Sequence, residues 1–136
     1  MQIAENETAL VAELSILPDP LVRLEWLTSQ GGKAPPLEPA ERTPEARVSG
    51  CVSEVFLQAS FEKGRCRFRG ESNSPLIQGL LQLFFRIYDD TPPQAILAKR
   101  SNILEQLDLA RHITPTRLRG LGAVLDRMEG FARSHL

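Results

Sequence analysis

At 136 residues, 42% of them hydrophobic and 24% charged, the chain has the length and balance of one globular domain, residues 1–136, with a single core. A formal net charge of −1 argues against a nucleic-acid binder, which would carry a basic surplus, and no apolar run approaches the roughly 18 residues that span a bilayer. Two cysteines are too few for a disulfide framework, or for a zinc or iron–sulfur site built by this chain alone.

The N-terminal residues carry Glu5 and Glu7, where a secretory signal would carry positive charge, so a cytoplasmic setting is expected. Leu10, Val11, Leu14 and Leu17 recur at helical spacing and predict a helix over 8–17, stopped by Pro18. Asp19-Pro20 opens the next helix as a cap followed by proline at the first helical position. Its inner stripe is Leu21, Leu24 and Leu27, Trp26 lies at the core or its rim, and Gly31-Gly32 closes it. Residues 33–46 have no period and hold Pro35, Pro36, Pro39 and Pro44. A connection this long wraps the surface or serves a site, and it is a candidate wall for whatever pocket lies next.

That next stretch is Val48-Ser49-Gly50-Cys51-Val52-Ser53-Glu54-Val55-Phe56. From Val55 the chain alternates, with Val55, Leu57, Ala59 and Phe61 on one strand face and Glu54, Phe56, Gln58, Ser60 and Glu62 on the other. Glu62-Lys63-Gly64 reads as a hairpin turn. On the return strand, Arg65 to Arg69, Cys66 and Phe68 face inward, while Arg65, Arg67 and Arg69 form a solvated row or a protected edge. Ser74 caps a helix to Tyr88 that is apolar over most of its circumference and must lie buried against the sheet, with Gly79 allowing close approach to a strand. Thr91-Pro92 and Thr114-Pro115 repeat the cap-then-proline device, and 101–109 holds a short helical piece between them. The last helix carries Leu118, Leu121, Leu125 and Met128 on one stripe, with His135 in a disordered-looking end. The predicted class is α+β: a small antiparallel sheet of about three strands packed against several helices.

Cys51 follows Gly50 directly. It is a thiol sheltered in one state and presented in another, or it is a small core hydrophobe; local pattern leaves both open. Cys66, mid-strand between arginines, reads as a core residue. A cysteine hydrolase needs a histidine base. His112 precedes the Thr114 cap, where a structural hydrogen bond is the expected role, and nothing brings it to Cys51. With no P-loop, dinucleotide fingerprint or zinc spacing, the chain does not read as a standalone enzyme. A presentable thiol suits covalent carriage of a group between partners.

The 48–56 stretch resembles the V-x-G-C-x-S-x-V-W signature of the SufE family of sulfur acceptors. Leu109-Ala110-Arg111-His112-Ile113-Thr114-Pro115-Thr116-Arg117 with Gly120-Leu121 resembles that family's L-x-x-H-L-[ST]-P-S-R-x-x-G-L. Pro35-Pro36-Leu37, the Ser72–Ser74 helix start and Tyr88 with Thr91-Pro92 fall in the same order. The resemblance implies a fold shared with iron–sulfur scaffold proteins. It also implies a protein that accepts sulfane sulfur from a pyridoxal-phosphate-dependent cysteine desulfurase, SufS-like or CsdA-like, stimulates that enzyme and hands sulfur to an iron–sulfur scaffold. Cys51 matches the persulfide-forming cysteine and Arg117 an arginine near the partner-facing surface. Gly50, Ser53, Glu54, Phe56, Asn73 and Arg117 are the expected partner contacts. No cofactor, metal, nucleic acid or membrane is implied for this chain itself. The sequence departs from the family at Phe56 (usually tryptophan), Ala46 (often asparagine) and Asn73 (often aspartate). An iron–sulfur or metal-binding scaffold on the same fold is the alternative, and two cysteines fall short of a cluster's usual thiolate ligands.

Overall fold

The helix that begins after Ser74 is the centre of the molecule. In the computed structural model, which describes residues 2–50 and 52–136, the elements run α1 (Gln2–Leu14), α2 (Pro20–Gly31), β1 (Val55–Glu62), β2 (Arg65–Ser72), α3 (Pro75–Tyr88), α4 (Pro93–Ala98), α5 (Ile103–Gln106) and α6 (Pro115–Arg133), with 3₁₀ turns at Pro39–Glu41 and Ala110–His112. The Ser74 hydroxyl accepts from Ile77 N at 3.3 Å and Pro75 takes the first helical position, so the cap fixes where α3 starts. Ile77, Leu80, Leu81, Leu83, Phe84, Phe85 and Ile87 are all buried, and each contributes roughly 1.5–3 kcal/mol by leaving water. α3 packs on α1, α2, α6 and β2.

The expected contact of Gly79 with a strand is corrected: it meets α2. A Cβ on Gly79 would stand 2.6 Å from the Leu27 carbonyl carbon, and one on Gly31 would stand 2.5 Å from the Gly79 nitrogen. Gly31 therefore serves helix–helix contact rather than a left-handed cap, and Gly32 ends α2 in ordinary right-handed geometry at φ −65°. α1 begins earlier than its period predicted because Ile3 is buried in line with Leu10 and Leu14. It ends at Leu14, short of Leu17.

The strands pair antiparallel from Val55↔Ser72 to Glu62↔Arg65, joined by Lys63 and Gly64 at φ 53° and 76°, the positive-φ pair of a tight hairpin turn. β2 runs beyond Arg69 because Gly70, Glu71 and Ser72 keep pairing with Leu57, Phe56 and Val55, and a side chain on Gly70 would meet the Phe56 carbonyl and the ring of Phe85. Among the described residues the sheet has two strands rather than three. The third partner is a stub, Arg47 bridging to Phe56, cut short by Pro44 before it and Gly50 after it. Thr91 is not a cap: it is fully buried, its hydroxyl donates to the Tyr88 carbonyl at 2.5 Å, and its carbonyl accepts from Cys66 N at 2.8 Å. Phe61, expected inward, overhangs the core and stacks on His135 at 4.8 Å, which orders the chain end expected to be loose. Two of the arginine row are ion-paired, Arg67 with Asp89 and Arg69 with Glu41, while Arg65 donates to the Asp90 carbonyl at 2.7 Å. Among the described residues no helix is long and apolar enough to cross a membrane.

Candidate functional site

The chain pairs with β1 before it becomes β1. Val48 N donates to the Val55 carbonyl at 2.9 Å and Leu57 N to the Ala46 carbonyl at 2.8 Å, which ties the chain together at both ends of a connecting loop. Arg47 and Glu54 close its neck with an ion pair at 3.1 Å. Their side chains are 50% and 45% exposed; such a pair is worth roughly 0.2–1 kcal/mol and is readily exchanged for a partner's charges. Gly50 takes φ +91°, a region that residues with a Cβ reach only with strain. Both Gly50 and Val52 are exposed, Val52 at 79%. Cys51, between them in sequence, lies outside the described residues.

On the far side the loop is pinned by a reciprocal pair. Glu54 N donates to Asn73 Oδ1 at 3.1 Å and Asn73 N donates to the Glu54 carbonyl at 3.3 Å. Ser72 N, next to it, donates to the buried Gln78 Oε1 at 2.8 Å, which ties this turn to α3. An aspartate at 73 would offer the same oxygen with a charge added. The departure from the family pattern therefore keeps the acceptor and drops the anion.

α6 supplies the facing wall. The Thr114 hydroxyl accepts from Arg117 N at 3.3 Å, Pro115 occupies the first turn, and no acid does. Thr116, Arg117, Gly120, Leu121 and Val124 enclose, with Val52, Ser53, Val55 and Ile77, a cavity of about 10 Å³, room for about one water molecule. Most of this lining is apolar; Ser53, Thr116 and Arg117 supply the polar side chains. Arg117 is exposed, and its guanidinium makes no ion pair or hydrogen bond with any described residue. A cation there opposes the helix dipole and is not offset by any described residue. Helix terminus and guanidinium together favour an anion at the cavity mouth.

The expected site residues divide. Gly50, Ser53, Glu54, Asn73 and Arg117 gather around the loop. Phe56 does not: expected on the contact surface, it is 9% exposed and packs with Leu37 and Ala46. The reason is the connection, which covers the outer strand face instead of walling the cavity. It is held there by Glu71, whose carboxylate accepts from Leu37 N at 2.6 Å and from Arg42 Nε at 2.8 Å; the Arg42 hydrogen bond holds its pKa below the usual carboxylate range. Cys66 is fully buried, and burial pushes its thiol pKa up, as suits a core residue. His112, expected to make a structural hydrogen bond, leaves its buried Nε2 without a partner among the described residues. Sequence reasoning missed Ile77, Thr116 and Gly120 as cavity walls; the last two sit inside the second motif and could have been found there.

The chain matches the family described as "SufE: Fe-S metabolism associated domain" over residues 8–132. It is 30% identical over 104 residues to SufE-like protein 2, chloroplastic, of Arabidopsis thaliana, a match that takes in 76% of this chain and 40% of that protein. The chain thus spans about two-fifths of that relative's length. The solution structure of a hypothetical protein from Thermus thermophilus superposes with a TM-score of 0.77 at 25% identity, covering 96% of this chain and 95% of the other, which shows the same α+β fold. Two motifs in register, the loop they bring against α6 and a family match across most of the length give one answer: this chain belongs to the SufE family.

Proposed function

We propose that the chain carries sulfur for iron–sulfur cluster assembly. The Cys51 thiolate attacks the terminal sulfur of a persulfide on the catalytic cysteine of a pyridoxal-phosphate-dependent desulfurase, SufS-like or CsdA-like. The donor's S–S bond breaks, its thiolate leaves, and the sulfane sulfur stays as Cys51-S-SH, with no net oxidation or reduction. An acceptor thiolate, on an iron–sulfur scaffold, then takes the terminal sulfur and regenerates the Cys51 thiolate. Making the sulfane sulfur remains the desulfurase's chemistry, and pyridoxal phosphate belongs to that enzyme; this chain acts as carrier and activator.

One observation carries the reading. Val52 and Ser53, the two residues after Cys51, line a small, mostly apolar cavity with the first turn of α6 and Arg117, which no described residue compensates. A helix N-terminus and a guanidinium favour thiolate over thiol, and apolar walls limit access of reductants to a persulfide. The half-exposed Arg47–Glu54 pair and the reciprocal Glu54–Asn73 hydrogen bonds hold the loop for docking without burying it. Incubation with a desulfurase and cysteine tests this: by mass spectrometry the peptide bearing Cys51 gains one sulfur atom, and Cys51→Ser protein gains none. Undiminished persulfide on the Cys51→Ser protein refutes the assignment.

A further inference from the structure

α6 meets the near side of the loop as well as its far side. Ala123 lies under Gly50, where a Cβ on the glycine would stand 3.6 Å from the Ala123 Cβ. One turn on, Arg127 reaches the incoming chain: its guanidinium donates to the Arg47 carbonyl at 3.2 Å and to the Glu45 carbonyl. Residues four apart share a helix face, so Ala123 and Arg127 form one strip. The acids beside that strip are taken, since Arg100 binds Asp126 at 2.5 Å and Glu129 at 2.8 Å. Arg127 is thereby left to backbone carbonyls, and one of the two residues it holds, Arg47, is the one whose side chain closes the loop neck on Glu54. At 123 the small side chain matters, because a bulkier one must share the space between α6 and the Gly50 turn, where there is room for little more than one added methyl group.

We propose that Ala123 and Arg127 are positioning residues for sulfur transfer: they fix the height of the Gly50 turn over α6 and the path by which the chain arrives, and through both the presentation of Cys51. The inference rests on the reading of Cys51 as the sulfur acceptor. Neither residue belongs to the cavity lining or to the neck ion pair.

The full chain supplies its own control, since Cys66 is fully buried and its alkylation reports opening of the core. Ala123→Leu and Arg127→Ala proteins are treated with iodoacetamide, and labelling of Cys51 and Cys66 is followed separately by peptide mass spectrometry. The expected result is Cys51 labelling raised about fivefold or more, the factor equivalent to about 1 kcal/mol of lost seating, with Cys66 labelling unchanged. With desulfurase and cysteine, both variants then need more desulfurase for half-maximal persulfide formation. Cys51 labelling that is unchanged or lower overturns the proposal, and so does a parallel rise at both cysteines, which would assign the strip to fold stability alone. Failure of the wild-type protein to take up sulfur would instead remove the acceptor reading, a result the alkylation rates do not depend on.

Discussion

Gly50→Ala tests whether the turn before Cys51 needs its backbone conformation. At φ +91° a Cβ costs about 1–2 kcal/mol, and loss of glycine's freedom in the unfolded chain returns about 0.4–1 kcal/mol, leaving a net loss of about 1 kcal/mol. Sterics add nothing, because the new Cβ would meet Ala123 at 3.6 Å, an ordinary van der Waals distance. The strain has no outlet at the loop ends, which are tied by the Val48–Val55 and Glu54–Asn73 hydrogen bonds. Either the turn holds and the melting midpoint falls by about 4 °C, or it relaxes to negative φ and re-aims its neighbours. Gly64→Ala is the matched control: φ is +76° with nothing near the added Cβ, at the other end of an eight-residue strand, roughly 23 Å away. Thermal unfolding and persulfide yield against desulfurase concentration, measured on both proteins, separate the effects. Gly64→Ala should lose stability alone, and Gly50→Ala should lose stability or sulfur acceptance. No change in either for Gly50→Ala, or equal loss of sulfur acceptance in both, refutes the reasoning.

Cys66→Ala should keep sulfur transfer and lose about 1 kcal/mol or somewhat more of stability by denaturant unfolding, because a fully buried sulfur leaves a void; lost transfer at unchanged stability would make Cys66 a relay. Gly79→Ala should cost several kcal/mol despite alanine's better helix propensity, since a Cβ would press into the Leu27 carbonyl and force α2 from α3; a neutral denaturation midpoint would disprove that contact. Arg117→Ala should weaken stimulation of the desulfurase while slow persulfide formation on Cys51 continues, and an unchanged titration curve would remove Arg117 from the docking surface.

What was legible in the sequence was local chemistry. Asp19-Pro20, Ser74-Pro75 and Thr114-Pro115 start helices where predicted because cap and proline act within one turn. Cys66 and Phe68 point inward because a strand's period is two. What failed depended on partners distant in the chain. Gly79 signalled close approach, but only the fold shows that Gly31 and Leu27 provide the other surface. Phe56 is covered by a connection without a period, anchored through Glu71, 34 residues from Leu37. Arg127 carries no sequence signal at all, since its acceptors are backbone carbonyls 80 and 82 residues earlier. The motifs marked the loop and the start of α6; the strip that seats the loop lies outside both.

The connection that hides Phe56 also sets how the site's surroundings respond to acid. Glu71 is the joint: its oxygens accept from the Leu37 amide and the Arg42 guanidinium, and its side chain is only 20% exposed. These bonds exist to the ionised form, so folding lowers the Glu71 pKa below its ordinary 4.5. The stability they add is therefore fully present above pH 4.5 and is lost as pH falls through the lower, folded value. Protonation should weaken the Leu37 amide bond, leaving the Arg42 donation to the Leu37 carbonyl at 2.8 Å, and so loosen the cover over Phe56 beside the loop neck at Arg47. The Leu37 amide resonance in a pH titration follows this directly. Its midpoint should lie below 4.5 in the native protein and return toward 4.5 in Arg42→Ala, where the guanidinium that holds the carboxylate ionised is gone. A wild-type midpoint at or above 4.5, or one that Arg42→Ala leaves in place, would show that the Arg42–Glu71 pair is not the joint and that the remaining contacts, among them Leu37 on Phe56 and Gln58 on the Glu41 carbonyl at 2.7 Å, hold the connection down.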